Sequence, residues 1–387
     1  MPRSSRVGSF AFQLGGFLAK TLIVGGGVIG LLSAQLLAAE GDEVLLVERQ
    51  QLGAEASWAG GGIVSLLYPW RYSPAVCALA HWSQAFYPAW CERLRDATGI
   101  DPEVRATGLF WLDLEDEQHA LDWAREQGYE LTPVSIEKVA QRIPALGGGF
   151  RRALHMPGVA NVRNPRLLRA LKAALAESAN VTLLENTEVS DFILQDGCVL
   201  GVNTSCGELR AERVVLASGA WSGELLSTLG LALPVEPVKG QMILYKCAEN
   251  YLPTMILAKG RYAIPRKDGH ILVGSTLEHA GFDKVPTNTA LASLKASAQE
   301  LLPALSGAEV VGHWAGLRPG APEGIPFIGE VAEFPGLWLN CGHYRNGLLL
   351  APASCQLLTD LMQRRTPILE PIPYALAGRL GRNERTS

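Results

Sequence analysis

Gly25, Gly27, Gly30 and Glu48 are the residues whose types and spacing say most about chemistry. In such a triplet the first glycine allows a tight turn, the second lets the backbone approach a pyrophosphate, and the third lets a helix pack on a strand. Glu48 follows Gly30 by eighteen residues and could accept hydrogen bonds from a ribose. Together these residues predict a site for an ADP-containing dinucleotide.

The segments around the glycines are those that such a site requires. Apolar residues 21–24 predict a strand, residues 31–39 predict a helix, and residues 44–47 predict a second strand that ends at Glu48. The helix N-terminus would present backbone N–H groups and a partial positive charge to the phosphates. An incidental glycine-rich turn is the competing interpretation, but it leaves the ordered strands, helix and acid unexplained.

Composition limits the class of protein. The length of 387 residues favours two domains, and 48% hydrophobic with 19% charged residues suits a globular enzyme. A net charge of −4 without a Lys/Arg cluster argues against a nucleic-acid partner. The seven cysteines form no Cys-x-x-Cys pair, so we expect no metal site, reduced thiols and a cytoplasmic location.

The first nineteen residues allow two interpretations. Arg3 and Arg6 precede an apolar stretch that ends near Ala19, as in a short signal peptide, but the cleavage pattern is poor. We therefore expect residues 1–19 to be a leader or a disordered extension. Residues 21–39 carry no charge, yet the glycine triplet explains them better as a buried strand and helix, so no stable membrane insertion is expected.

The rest of the chain alternates between helix and strand patterns. Helices are predicted at 75–98, from 164 to 177, at 288–302 and at 348–362, where Pro352 should fit only in the first turn. Strands are predicted at 181–189, 199–204 and 214–217, with Asp196-Gly197 as a hairpin turn. Small residues at 57–62 and 218–221 would let the backbone approach a ligand.

This alternation predicts two interleaved domains in a fold that combines α/β and α+β parts. A Rossmann-like dinucleotide-binding domain would consist of residues 20–85, 160–222 and 315–370. A substrate domain, built on a mixed or antiparallel β-sheet, would consist of residues 86–159 and 223–314.

Several motifs in order along the chain resemble the glycine oxidase and D-amino-acid oxidase family of flavoenzymes. They are the glycine triplet, Glu48-Arg49, and residues 218–221, 237–241, 259–265, 316–320 and 342–347. The resemblance extends from about Thr21 to Asp360 and implies FAD as the cofactor. Since no cysteine lies near residues 318–329, noncovalent FAD is expected.

The resemblance also assigns cofactor contacts. The residues implied are Gly25, Gly27, Val28, Ile29 and Gly30 at the pyrophosphate, Glu48 and Arg49 beside the adenosine, Ser57, Gly60, Gly61 and Gly62 facing the flavin, Val189 at the adenine, Gly219 near the cofactor, and His343, Tyr344, Arg345, Asn346, Gly347 and Leu348 at the pyrimidine side of the flavin.

For the substrate, the resemblance implies that Arg318 and Tyr262 bind a carboxylate and that Arg345 is a second pocket arginine. The implied reaction passes hydride from Cα of a small amino acid to flavin N5, and O2 then gives hydrogen peroxide. An imine hydrolyses to the 2-oxo acid and ammonia, and no general base is required. The family further implies a role in thiamine thiazole synthesis and a homo-oligomer, possibly a tetramer.

Substrate range and electron acceptor stay open. Gly260 could widen the pocket for sarcosine, D-alanine or D-proline besides glycine, and Leu277 also departs from a better-known relative. A D-amino-acid dehydrogenase that reduces a membrane quinone is the main alternative. A flavin-binding tRNA-modification domain lacks the basic patch it needs, and an NAD-dependent dehydrogenase leaves residues 316–347 unexplained.

Overall fold

The computed structural model describes residues 18–383. The predicted leader therefore lies outside the described residues, except for Leu18 and Ala19, which belong to the first strand. That strand begins at Leu18 rather than at Thr21, because residues 18 and 19 already pair with Arg210 and Ala211.

The described strands are β1 (Leu18–Val24), β2 (Val44–Val47), β3 (Ile63–Val64), β4 (Arg105–Ala106), β5 (Leu109–Leu112), β6 (Thr132–Ser135), β7 (Arg152–Met156), β8 (Ala160–Asn161), β9 (Val181–Leu184), β10 (Val189–Gln195), β11 (Cys198–Thr204), β12 (Gly207–Leu216), β13 (Leu231–Ala232), β14 (Glu236–Lys246), β15 (Met255–Ala258), β16 (Arg261–Pro265), β17 (His270–Gly274), β18 (Glu309–Gly320), β19 (Phe327–Glu330), β20 (Leu337–Cys341) and β21 (Gly381–Arg382). The described α-helices are α1 (Val28–Ala39), α2 (Ala56–Ala59), α3 (Pro74–Thr98), α4 (Glu117–Gln127), α5 (Ile136–Arg142), α6 (Asn164–Ala176), α7 (Ser222–Ser227), α8 (Asn288–Leu301) and α9 (Gly347–Met362).

The first large sheet has the predicted Rossmann-like arrangement. Its parallel strands lie in the order β20, β12, β1, β2, β9, and the antiparallel β10–β11 hairpin and β19 extend it. Helix α1 connects β1 to β2, and its apolar residues pack with those of α3, α6 and α9 in one core cluster. The carboxyl ends of the parallel strands thus meet at one edge, where open α/β sheets bind ligands.

The second large sheet is mixed, as predicted. Its order is β18-β14-β17-β16-β15-β5-β7-β6, and only β15 and β5 pair in parallel. Helix α8 and helix α4 contribute to separate hydrophobic clusters that also contain residues of this sheet. The expected fold class is confirmed.

Two elements cross the predicted domain boundaries. Helix α3 runs through the boundary at residue 85, and its buried side chains, from Val76 to Leu94, belong to the core beside α1 and α9. Strand β18 runs through the boundary at residue 315 and pairs along its length with β14. Both predicted boundaries therefore fall inside continuous elements.

The predicted strand over 181–189 is wrong as a single strand. The chain breaks after Leu184, and Asn186 has a φ of 55° before β10 begins at Val189. The predicted turn at Asp196-Gly197 is present, because both residues have positive φ, at 53° and 80°, and connect β10 to β11. Alternating apolar residues alone could not locate the break, since both pieces have the same pattern.

Pro352 lies inside α9, so the expectation that it would fit only in the first turn is wrong. A proline there cannot donate to the carbonyl oxygen of Leu348, one turn earlier. The hydroxyl of Tyr87 on α3 donates to that oxygen instead. Ser83 accepts a hydrogen bond from the backbone of Ala353 at 3.0 Å. Helix α3 therefore satisfies the backbone that the proline leaves without an internal partner.

Candidate active site

A cavity of about 480 Å³ opens at the carboxyl ends of β1, β2, β12 and β20. Every site residue predicted from the sequence lines it except Gly30. Gly30 lies instead under the β1–α1 turn, where an added Cβ would come within 1.9 Å of the carbonyl oxygen of Gly25. That placement matches the packing role expected for the third glycine.

The start of α1 forms one wall of the cavity. The helix begins after Gly27, without a capping side chain and without an acidic residue in its first turn. Its partial positive charge is therefore not offset by its own side chains. The backbone N–H of Val28 donates to the hydroxyl of Ser57 at 2.9 Å. This wall can accept a pyrophosphate.

Glu48 and Arg49 lie at the end of β2, next to that wall. One carboxylate oxygen of Glu48 accepts from the N–H of Gly26 at 2.8 Å, and the other accepts from Gln50 at 3.0 Å. The guanidinium of Arg49 lies 3.8 Å above the ring of Trp221, which also lines the cavity. Val189 and Gly219 line the same end.

The glycine-dense segment after α2 forms the floor between the two sheets. Residues 56–59, expected to be loop, form the short helix α2, and Gly60, Gly61 and Gly62 follow it. A Cβ on Gly61 would lie 3.3 Å from the hydroxyl of Tyr262, so the loop contacts this tyrosine directly. The loop thereby connects the dinucleotide end of the cavity to the second sheet.

Arg318 on β18 provides a partly buried positive charge at the other end of the cavity. Its guanidinium donates to the carbonyl oxygens of Lys239 and Thr276, at 3.3 and 3.2 Å, and to the hydroxyl of Ser275 at 2.8 Å. No carboxylate among residues 18–383 forms an ion pair with it. Burial lowers the pKa of Arg318 from its usual value, while nearby Tyr262 opposes that shift.

Two features that support Arg318 were missed from the sequence. Gly240 lies directly beneath the guanidinium, because a Cβ there would be 2.2 Å from Nη2. The hydroxyl of Ser275 accepts a hydrogen bond from the same nitrogen, and Ser275 also lines the cavity. Gly240 belonged to a recognised motif, but its role depends on the pairing of β14 with β18, which spacing in the sequence does not reveal.

Tyr262 and Arg345 complete this end of the cavity. Tyr262 is 7% exposed, and its hydroxyl makes a weak 3.3 Å hydrogen bond to the sulfur of Met242. Arg345 is exposed at the mouth and pairs with no carboxylate in the described part of the chain. The structure thus brings the three predicted substrate residues to one cavity, although their contacts with a substrate stay predictions.

Polar side chains near the start of α9 lack partners within residues 18–383. They include Nε2 of His343 and Nδ2 of Asn346, and both residues line the cavity. Burial lowers the pKa of His343 to about 3, so its imidazole is neutral near pH 7. Buried donors and acceptors of this kind fit a ligand with polar ring atoms.

The hypothesis that Gly260 widens the pocket stays a prediction. Gly260 has a φ of 73° and follows Lys259, with φ 48°, in the turn between β15 and β16. Nothing lies within 4 Å of a Cβ added there, so the glycine leaves open space beside the turn. Neither Gly260 nor Leu277, whose side chain is 48% exposed, belongs to the lining of the cavity of about 480 Å³.

The loop at residues 68–72 packs against the second sheet. Trp70 is buried, and its indole N–H donates to Asp116 at 2.7 Å. Arg71 makes two hydrogen bonds to the same carboxylate, at 2.6 and 2.7 Å. Tyr72, at the end of the loop, lines the cavity. The loop therefore belongs to the wall of the site.

Known proteins are similar to this chain in sequence and in architecture. Residues 20–361 match the DAO family, described as FAD dependent oxidoreductase, and this chain belongs to that family. It is similar to glycine oxidase from Pseudomonas putida, with 64% identity over 94% of this chain and 99% of that protein. Glycine oxidase from Pseudomonas aeruginosa is 65% identical over 93% and 99% of the two chains.

The fold of this chain also matches that of a solved structure. The crystal structure of glycine oxidase from Geobacillus kaustophilus superimposes with a TM-score of 0.88 at 34% identity, covering 94% of this chain and 99% of that one. Membership of the family establishes an oxidoreductase that depends on FAD. The uncapped helix α1, the glycine-lined floor and the buried polar atoms near α9 fit this cofactor. Among residues 18–383, no helix combines the length and apolarity needed to cross a bilayer.

Proposed function

We propose that this enzyme oxidises glycine, and also sarcosine, D-alanine and D-proline, with O2 as the electron acceptor. FAD, when bound, would supply the acceptor for the Cα hydride at N5 and the electrons that reduce O2 to hydrogen peroxide. The organic product is an imine, which water hydrolyses to a 2-oxo acid and an amine. Glycine and D-alanine would give ammonia, sarcosine would give methylamine, and D-proline would give a ring-opened amino 2-oxo acid. The similarity to glycine oxidases and the geometry of Arg318 support this proposal.

Arg318 carries the proposal. A guanidinium has five N–H donors, and three hydrogen bonds to neutral oxygens are formed. The N–H of Nε and one N–H of Nη2 therefore have no partner among residues 18–383. Nε and Nη2 lie on the same edge of a guanidinium, and such a pair of donor nitrogens suits both oxygens of a carboxylate. A partly buried cation facing a cavity without an acidic partner favours an anionic ligand.

The other side chains orient the substrate. We assign the hydroxyl of Tyr262 to the same carboxylate, because Tyr262 and Arg318 both line this end of the cavity. Arg345 adds positive charge at the mouth, where it attracts an amino-acid anion. No side chain is assigned as a general base, since hydride leaves Cα while the amine is neutral. The protein contributes orientation and charge, and FAD contributes the redox chemistry.

FAD is proposed to bind without a covalent link. The cysteine of the cavity wall, Cys341, is 2% exposed, and burial raises the pKa of its thiol to about 12. It stays protonated near pH 7 and is a poor nucleophile for a tether. Glu48 and Arg49 are assigned to the adenosine, the start of α1 to the pyrophosphate, and residues 60–62 and 343–348 to the flavin.

The resemblance to the family also supports three broader proposals. The imine of glycine would supply thiazole synthesis in thiamine production. The enzyme would work in the cytoplasm, which agrees with the free state of all described cysteines. It would assemble as a homo-oligomer, possibly a tetramer.

One experiment tests the reaction. Purified enzyme should be yellow, and glycine added without air should bleach the flavin absorption. Readmission of air should restore the colour and release peroxide in proportion to the glycine consumed, without detergent or quinone. Bleaching that reverses only with a quinone would replace the proposal by a D-amino-acid dehydrogenase. Yellow enzyme that glycine and the other three amines fail to bleach would refute the substrate class.

A further inference from the structure

Arg266 is a fully buried cation that has no role in the reaction described above. It follows β16, is 7% exposed, and forms no ion pair with a carboxylate of the described residues. Burial lowers the pKa of Arg266 to about 10, although Glu103 opposes the shift, so it stays charged near pH 7. A buried charge without a paired acid is costly.

Its hydrogen bonds join three parts of the molecule. Nη2 donates to the carbonyl oxygen of Gly61 at 2.8 Å, in the glycine loop of the cavity floor. Nη1 donates to the carbonyl oxygen of Val162 at 2.9 Å and to Oδ1 of Asn161 at 3.1 Å. All three acceptors are neutral. The planar guanidinium is the one side chain that can donate to several of them at fixed angles.

The geometry of strand β16 explains why these contacts lie together. Side chains two residues apart on a strand lie on the same face, and Tyr262, Ile264 and Arg266 all contact the glycine loop. A Cβ on Gly61 would be 3.3 Å from the hydroxyl of Tyr262 and 3.0 Å from Cδ1 of Ile264. The guanidinium of Arg266 donates to the carbonyl oxygen of Gly61. One face of β16 and of the residue that follows it therefore carries both the proposed substrate tyrosine and the cation that holds the loop.

We infer that Arg266 is a positioning residue, whose guanidinium fixes the glycine loop against the strand that presents Tyr262. The inference rests on the proposed function, because the loop is assigned to the flavin and Tyr262 to the substrate. Arg266 thereby sets the spacing between the two reactants across the junction of the two sheets. Displacement of about 1 Å between reacting groups can cost roughly 100-fold in rate.

The test compares Arg266→Lys with wild-type holoenzyme. Lysine keeps the charge but offers one ammonium in place of a planar group that reaches both the loop and β8. We expect kcat with glycine to fall about 10-fold or more, while KM changes less than about 2-fold because Arg318 is untouched. The visible absorption of the bound flavin should shift, since the loop beside it moves.

Arg163→Gln is the matched control. Arg163 belongs to the same junction and pairs with Glu103 and Asp268, at 3.2 and 2.7 Å, without contacting the glycine loop. This variant should lower Tm and leave kcat and the flavin spectrum unchanged. An equal loss of kcat in Arg163→Gln would overturn the inference. So would a lower Tm in Arg266→Lys with wild-type kcat and spectrum, which is what a purely structural role predicts.

A milder variant covers the case in which Arg266→Lys does not fold. Asn161→Ala removes one of the three acceptors and leaves the cation and its bond to Gly61 in place. Asn161→Ala should lower kcat about 2-fold and shift the flavin spectrum less than Arg266→Lys does. Unchanged kcat and an unchanged spectrum would overturn the inference. Wild-type enzyme that binds FAD but is not reduced by glycine refutes the proposed function separately. The flavin spectra of the variants still test the positioning of the loop in that case.

Discussion

The two ends of the cavity are built in different ways. The dinucleotide end consists mainly of backbone, from the glycine turn at residues 25–30, the start of α1 and the loop at 60–62. The proposed amino-acid end consists of side chains, chiefly Arg318 and Tyr262, which are held by β14, β16 and β18. The first end would bind through backbone N–H groups, which every residue except proline has. The second end would depend on particular side chains and on the residues that support them.

This difference explains which parts the sequence could predict. The dinucleotide end is contiguous, so the spacing of Gly25, Gly27 and Gly30 with Glu48 identified it. The amino-acid end is assembled from distant segments, and only its resemblance to a family pointed to Arg318. The supports of Arg318, namely Gly240 and Ser275, become visible only when β14, β17 and β18 lie side by side.

Substitutions at two glycines of the same turn should affect folding and cofactor binding separately. Gly30→Ala should destabilise the protein by about 3 kcal/mol, because its Cβ would lie 1.9 Å from a backbone oxygen. Gly27→Ala should fold normally, since its Cβ would meet only the hydroxyl of Ser57 at 3.2 Å, but should bind FAD about 10-fold more weakly. Thermal unfolding and FAD titration measure the two effects. Equal behaviour of the two variants would contradict this division of roles.

Gly240→Ala probes the support beneath the amino-acid end. The new methyl group would come 2.2 Å from Nη2 of Arg318, so the guanidinium must move. We expect a KM for glycine about 10-fold higher, equivalent to about 1.4 kcal/mol, with FAD still bound. Gly158→Ala is the control, because nothing lies within 4 Å of a Cβ there. A KM equal to that of the control would mean that Arg318 does not bind the substrate in this position.

His343 predicts a dependence of stability on pH. Burial lowers its pKa to about 3, whereas the unfolded chain would bind a proton near the usual 6.5. Its contribution is therefore fully present above about pH 6.5 and is lost as pH falls from there toward 3. His343→Gln should reduce the fall in Tm between pH 7 and pH 5, by at most about 2 kcal/mol in stability. A His343→Gln profile identical to that of the wild-type enzyme would refute this role.

Arg345→Gln should have the smallest effect. The side chain is exposed at the mouth and forms no ion pair in the described part of the chain. Exposed charges contribute about 0.2–1 kcal/mol, so kcat/KM for glycine should fall about 1.4- to 5-fold at low salt. The loss should shrink at high salt because the charge is screened. A loss that salt does not change would place Arg345 in direct contact with the substrate.

The most direct test of the account is an anaerobic titration of wild-type and Arg318→Met holoenzymes with glycine, followed by the flavin absorption. Removing one partner of a buried charge pair costs about 2–5 kcal/mol. The account predicts that both proteins carry FAD and that the glycine concentration for half reduction rises about 30-fold or more in Arg318→Met. Half reduction at the same glycine concentration in both proteins would contradict the claim that Arg318 binds the substrate carboxylate.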